Sequence, residues 1–184
     1  MPIYNPVRVG GRTPTLISTV TVSTAVANVT FSSLSAAYLD LYVRFNVAGS
    51  DAATQYFRMQ FNGDTGTTYG STELSWGSLN NANHYNGLTY IICGKQTPSA
   101  VSWSRSSGDL WIYDYTSTTY DKIVQGSMYL QPFTAPTRTN DGERWLISGK
   151  WGPSTPAAIT SVVFTPTTGN FVAGTVVSLY GVSA

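Results

Sequence analysis

Between Tyr38 and Ala48 the chain alternates with a period of two. Leu39, Leu41, Val43, Phe45 and Val47 fall on one side, and Tyr38, Asp40, Tyr42, Arg44 and Asn46 on the other. Such alternation predicts a half-buried strand with one polar face. The same signature recurs along the chain. Thr15–Thr24 carries Leu16, Val20 and Val22, and Asn28–Leu34 carries Val29, Phe31 and Leu34. Gln55–Phe61 places Phe57, Met59 and Phe61 together. Tyr90–Gln96 is almost continuously apolar. Asp109–Tyr115 sets Leu110, Ile112 and Asp114 against Trp111, Tyr113 and Tyr115. Lys122–Leu130 and Glu143–Trp151 follow, the latter with Trp145, Ile147 and Gly149 opposite Leu146 and Ser148. The last segment, Ala157–Val182, reads as strand, turn, strand: Ile159, Val162 and Phe164, then Thr168-Gly169-Asn170, then Val176, Val177, Leu179 and Tyr180.

About ten strands are therefore expected. No segment carries apolar residues at the three- and four-residue spacing of a helix. Thr67–Leu88 is rich in Gly, Asn and Ser, and its weak pattern predicts a long surface excursion with one short strand near Glu73–Trp76. No fixed-period repeat and no linker divides the chain. The expectation is an all-β protein, a single antiparallel β-sandwich domain of jelly-roll-like type over 15–184. An extended N-terminal arm over 1–14 precedes it, where Pro2, Pro6, Pro14 and Gly10-Gly11 interrupt regular structure.

Composition changes this picture in one respect. Only 10% of the 184 residues are charged, against about 25% in ordinary soluble domains. The surface must then be made largely of Ser, Thr, Asn, Gly and Tyr. The net charge is +1 and the basic residues are scattered, which disfavours nucleic-acid binding and a membrane-surface role. Cys93 is the sole cysteine, so no intrachain disulfide forms. No secretory leader and no apolar run of membrane-spanning length is seen, which suggests synthesis in a cytoplasm.

Candidate chemistry is sparse. His84 is the single histidine; it lies in a polar stretch, and no Gly-x-Ser-x-Gly elbow supports a nucleophile relay. With Cys93 as its only soft partner it makes no zinc site. The carboxylates Asp109 and Asp114, and Asp141 and Glu143, are close in sequence, yet they fall at strand ends where charges ordinarily face water. Asn62-Gly63-Asp64-Thr65-Gly66 lacks the alternating acidic ligands of a calcium loop and reads as a turn. No phosphate-binding loop appears, and Asn28-Val29-Thr30 has only the form of a glycosylation sequon. The expectation is a non-enzyme with no catalytic residue, no cofactor and no metal. What remains is surface: 13% aromatic residues, which serve as strand formers or as stacking and interface anchors. Trp76, His84, Tyr85, Tyr113 and Tyr115 are the candidates for surface contact, beside Trp103 and Tyr120.

Several stretches resemble one family of β-proteins from tailed-bacteriophage virions. Ile17–Ser23 leading into Val29–Leu34 is similar to its first hairpin, and Tyr38–Arg44 to the strand that follows. Phe61–Gly66 with Tyr69 resembles its Asn-Gly-Asp turn, and Asp114-Tyr115 before Lys122 a middle strand pair. Gly169-Asn170-Phe171-x-x-Gly174-Thr175-x-x-Ser178-Leu179-Tyr180-Gly181 resembles its closing hairpin. The resemblance implies a virion structural protein, often a homotrimer, on the capsid or in the tail. A compact domain with an arm suits a capsid decoration (cement) protein, whose partners are the major capsid protein and its own copies. Tyr4, Arg8 and Arg12 of the arm would then contact the shell or a neighbouring subunit. The alternative is a tail-fibre or baseplate module binding host surface glycans through Thr67–Leu88, with Trp76, His84 and Tyr85 as the contact.

Overall fold

The structure, a computed structural model, describes residues 13–77, 80–98, 104–131 and 142–183. Twelve strands form: β1 (Pro14–Thr21), β2 (Val29–Phe31), β3 (Asp40–Val47), β4 (Gln55–Phe61), β5 (Tyr69–Trp76), β6 (Asn81–Leu88), β7 (Ile91–Gln96), β8 (Ser106–Tyr113), β9 (Lys122–Leu130), β10 (Glu143–Trp151), β11 (Val162–Pro166) and β12 (Val176–Val182). They make an antiparallel sandwich of unequal sheets. Eight strands run in the order β1-β12-β3-β8-β9-β10-β5-β6, and four in the order β2-β11-β4-β7. The predicted all-β sandwich is the observed fold. The bounds of β4, β9 and β10 coincide with those expected from alternation.

The core lies between the sheets, where alternation places it. Leu41, Val43, Phe45 and Val47 of β3 face Phe57, Met59 and Phe61 of β4, and all are buried. Phe57 stacks on Phe164 at 5.4 Å and meets Phe45 at 4.9 Å. At two points the sheets approach so closely that glycine is required. A Cβ on Gly149 of β10 would strike Ile91 of β7, and one on Gly94 of β7 would strike the Met128 sulfur of β9. Gly94 also has φ +104°, a conformation costly for any other residue.

The segment expected to be a surface excursion, 67–88, is instead the β5–β6 hairpin at one edge of the large sheet. Its alternation escapes a hydrophobicity reading because the inward positions after Tyr69 are Ser71, Glu73 and Ser75. These buried polar groups are made tolerable by hydrogen bonds. The Ser71 hydroxyl accepts from the Ile92 N–H of the opposite sheet at 2.9 Å. One Glu73 oxygen accepts from Asn83 at 2.9 Å and Tyr85 at 3.3 Å. His84 therefore sits in a strand rather than a loop.

The closing pair, and likewise the first, is not a hairpin. β11 pairs with β2 and β4 while β12 pairs with β1 and β3, so the chain crosses between sheets at both places. The expected turn does form, with Gly169 at φ +69°. It docks sideways instead of reversing the strand: the Ser50 N–H donates to the Asn170 carbonyl, the Asn170 N–H donates to the Ser50 hydroxyl, and Phe171, fully buried, bridges to Val26 and Gly49. Burying Phe171 outweighs a tight reversal. Asp40, expected on the polar face, is also buried; its carboxylate accepts from the Asp114 N–H at 2.8 Å.

Candidate functional site: the outer face of the large sheet

The outward positions of the eight-stranded sheet form continuous cross-strand rows. One runs Thr19, Ser178, Arg44, Asp109, Ser127, Leu146, Leu74, Ala82. The next runs Leu16, Tyr180, Tyr42, Trp111, Gln125, Ser148, Thr72, His84. Leu16, Leu74, Trp76, Tyr113, Ile123, Tyr129 and Leu146 are large, exposed and all on this face. Among the described residues Tyr120 is the one other exposed large apolar side chain. An apolar surface concentrated on one side marks a contact surface.

Within it lies an aromatic row. Tyr42 leans on Trp111 at 4.8 Å and on Tyr180 at 5.8 Å, and Trp111 stacks with Tyr113 at 6.3 Å and 12°. Burial, then the nearby Asp109 carboxylate, push the Tyr42 hydroxyl above its ordinary range, so it is a neutral donor at physiological pH.

Two troughs run beside this row because short side chains alternate with tall ones across the strands. The first has Ser107, Asp109 and Ser127 as its floor, on β8 and β9. Tyr42 and Arg44 of β3 wall one side; Tyr129, Arg144 and Leu146 wall the other. Its volume is about 480 Å³, within the range of ligand pockets. Tyr129 holds its place by lying across Gly142, where any Cβ would collide with the phenol. The Ser127 hydroxyl donates to Asp109 at 3.4 Å. The second trough, about 370 Å³, has Gly70, Thr72 and Ser148 below and His84, Ile123 and Lys150 around it. Its histidine is fixed by a 2.8 Å bond between Nδ1 and the Thr72 hydroxyl.

The sequence-expected contact residues divide. Tyr113, Trp76 and His84 share the outer face. Tyr85 points inward to Glu73, and burial together with that carboxylate raises its pKa. Tyr115 is a correction: it is fully buried, and its hydroxyl donates to the Ser35 carbonyl. β8 ends at Tyr113, and Asp114 takes φ +46°, which breaks the alternation and turns the next ring into the core. Tyr4, Arg8, Arg12 and Trp103 lie outside the described residues. Sequence reasoning missed Tyr129, Arg144, Asp109 and Leu146 as one group. Their alternation was visible, but their meeting depends on register across four strands.

Among the described residues, Glu73 and Glu143 face inward on the neighbouring strands β5 and β10 without being cross-strand partners. Glu73 is opposite Ile147, four residues along β10 from Glu143, or about 13 Å at ~3.3 Å per residue. Glu143 accepts from the Trp145 indole at 3.1 Å and faces Lys95 at 3.8 Å. Among the described residues no three His, Cys, Asp or Glu gather as a metal site. No helix among them is long and apolar enough to cross a membrane. No family model matches the chain, and no curated protein or solved structure matches it.

Proposed function

We propose that the protein is a structural component of a tailed-bacteriophage virion, a capsid decoration protein that binds the outer shell and acts by contact rather than catalysis. The observation that supports a contact role is the confinement of seven large exposed apolar side chains to one sheet face. The low charge suits broad, mostly neutral interfaces. In this reading the arm over 1–14 anchors the domain to the major capsid protein and to neighbouring copies. Modest contacts summed over symmetric copies then give tight attachment.

A cryo-electron reconstruction of the purified virion tests this. Density on the outer capsid, with the arm between shell subunits, is the expected result. Density confined to the tail would replace it with a second reading, a tail-fibre or baseplate module that binds host glycans. The aromatic row Tyr180–Tyr42–Trp111–Tyr113 favours that second reading, because rings on an outer face, here half-buried except for the exposed Tyr113, offer flat apolar surface to sugar faces.

A further inference from the structure

Three features compete for a role not yet assigned. The buried Glu73 leaves one carboxylate oxygen without a partner, but Glu73 lines neither of the two troughs. The trough around His84 and Lys150 is shallower, and Lys150 already pairs with Asp121 at 2.8 Å. The trough between Tyr42 and Leu146 differs from both in combining aromatic walls, a hydroxyl-bearing floor and an uncompensated positive charge.

We propose that this trough binds an oligosaccharide carrying a carboxylate, with Arg144 and Arg44 holding the acid group and Tyr42 and Tyr129 flanking the sugar rings. This rests on the reading of the protein as one that works through its exposed sheet face, and it applies whether the domain sits on the capsid or the tail. Four properties converge. The floor is built of short polar side chains, Ser107, Asp109 and Ser127, which exchange hydrogen bonds with sugar hydroxyls; an apolar protein anchor would leave them unpaired. The walls are aromatic, with Tyr129 45% exposed and Tyr42 half-buried and braced against Trp111, so rings stack without prior rearrangement. The charges do not balance: the trough holds two guanidinium groups and one carboxylate. Arg44 lies opposite Asp109 in the β3–β8 register, and Arg144 has no ion pair among the described residues. A guanidinium left free beside hydroxyls fits a planar carboxylate, which it engages through two parallel hydrogen bonds. Finally, these residues stand on four neighbouring strands rather than on loops, so the site is already formed.

The test is titration calorimetry of the full-length protein with sialyllactose and trigalacturonate, each against its neutral counterpart, lactose and galactotriose. At least one acidic probe is expected to bind at millimolar concentration or better, and about tenfold more tightly than its neutral partner, as one charge-assisted pair predicts. Arg144→Gln is expected to remove that preference while leaving neutral binding in place. Tyr129→Ala weakens acidic and neutral probes alike, by several-fold. Thr30→Ala, at an exposed position of β2 in the other sheet, changes neither. All three variants are at outward positions, and unchanged melting curves confirm their fold. Absence of binding by every acidic probe overturns the proposal. So does equal affinity for acidic and neutral probes, or an Arg144→Gln protein that keeps its preference. A Tyr129→Ala protein whose sedimented mass differs from the parent also overturns it, since the trough would then be a subunit contact. Because these measurements use the isolated protein, their failure is distinct from a failure to find the domain on the virion.

Discussion

The two faces of the eight-stranded sheet are built from the same strands and much the same residue types, yet they differ in almost every physical respect. On the inner face Trp145 of β10 is buried, its indole bonded to Glu143 and its ring met edge-on by Tyr56 at 6.4 Å and by the Lys95 ammonium at 4.8 Å. On the outer face Trp111 of β8 is only partly covered and touches Tyr42 and Tyr113 of its own sheet. Inside, glycines at 94 and 149 let the sheets close until no space is left. Outside, short residues between tall ones leave troughs. A large aromatic on this sheet is thus buried or left at the surface according to the parity of its position, not its identity.

Substitutions can break or sharpen that contrast. The largest effect is expected for Trp145→Ala, about 3–5 kcal/mol of stability as for other buried large-to-small changes, measured by urea unfolding. Gly94→Ala follows at about 3 kcal/mol, because it adds an unfavourable φ to a collision with Met128; a lower urea midpoint with the m-value retained is the readout.

Asp64→Asn is expected to cost about 1–2 kcal/mol at neutral pH. The Asp64 carboxylate accepts from the Trp151 indole at 2.7 Å, the Gly66 N–H at 2.7 Å and the Thr68 hydroxyl at 2.8 Å. Those bonds, the Trp151 one foremost, hold its pKa below the ordinary carboxylate value despite partial burial. A depressed folded pKa stabilises above the unfolded value, roughly 3.9, and that stability is lost as pH falls through the folded one. The gap between parent and Asn variant should therefore be full at neutral pH and close in acid, as thermal melts across pH will show. The smallest effect is Trp111→Ala, at about 1 kcal/mol or less. If it matched Trp145→Ala, the distinction between the faces would fail.

Much of this architecture was legible in the sequence, and the exceptions have physical causes. β3, β4, β9 and β10 announce themselves because most of their inward positions carry apolar side chains in strict alternation, even though Ile123, Tyr129 and Leu146 stand outward. β5 does not, because Ser71, Glu73 and Ser75 occupy its inward positions and are supported by partners distant in sequence. Tyr115 escapes because one left-handed residue, Asp114, inverts the parity that a simple alternation extends. The crossings between sheets at both ends of the chain escape because consecutive strands usually pair, and only long-range register reveals that these do not. Tyr42, Arg44, Trp111 and Tyr113 were recognisable as outward-facing. The trough required knowing that β3, β8, β9 and β10 lie side by side in register.

The most direct measurement is a ¹H–¹⁵N titration of the labelled protein with an acidic oligosaccharide, read at the indole N–H groups. The account predicts that the Trp111 signal moves with saturation while those of Trp145 and Trp151, both buried and hydrogen-bonded to carboxylates, stay in place. Movement of the buried indoles with Trp111 fixed would place binding elsewhere and contradict the assignment of the outer face as the working surface.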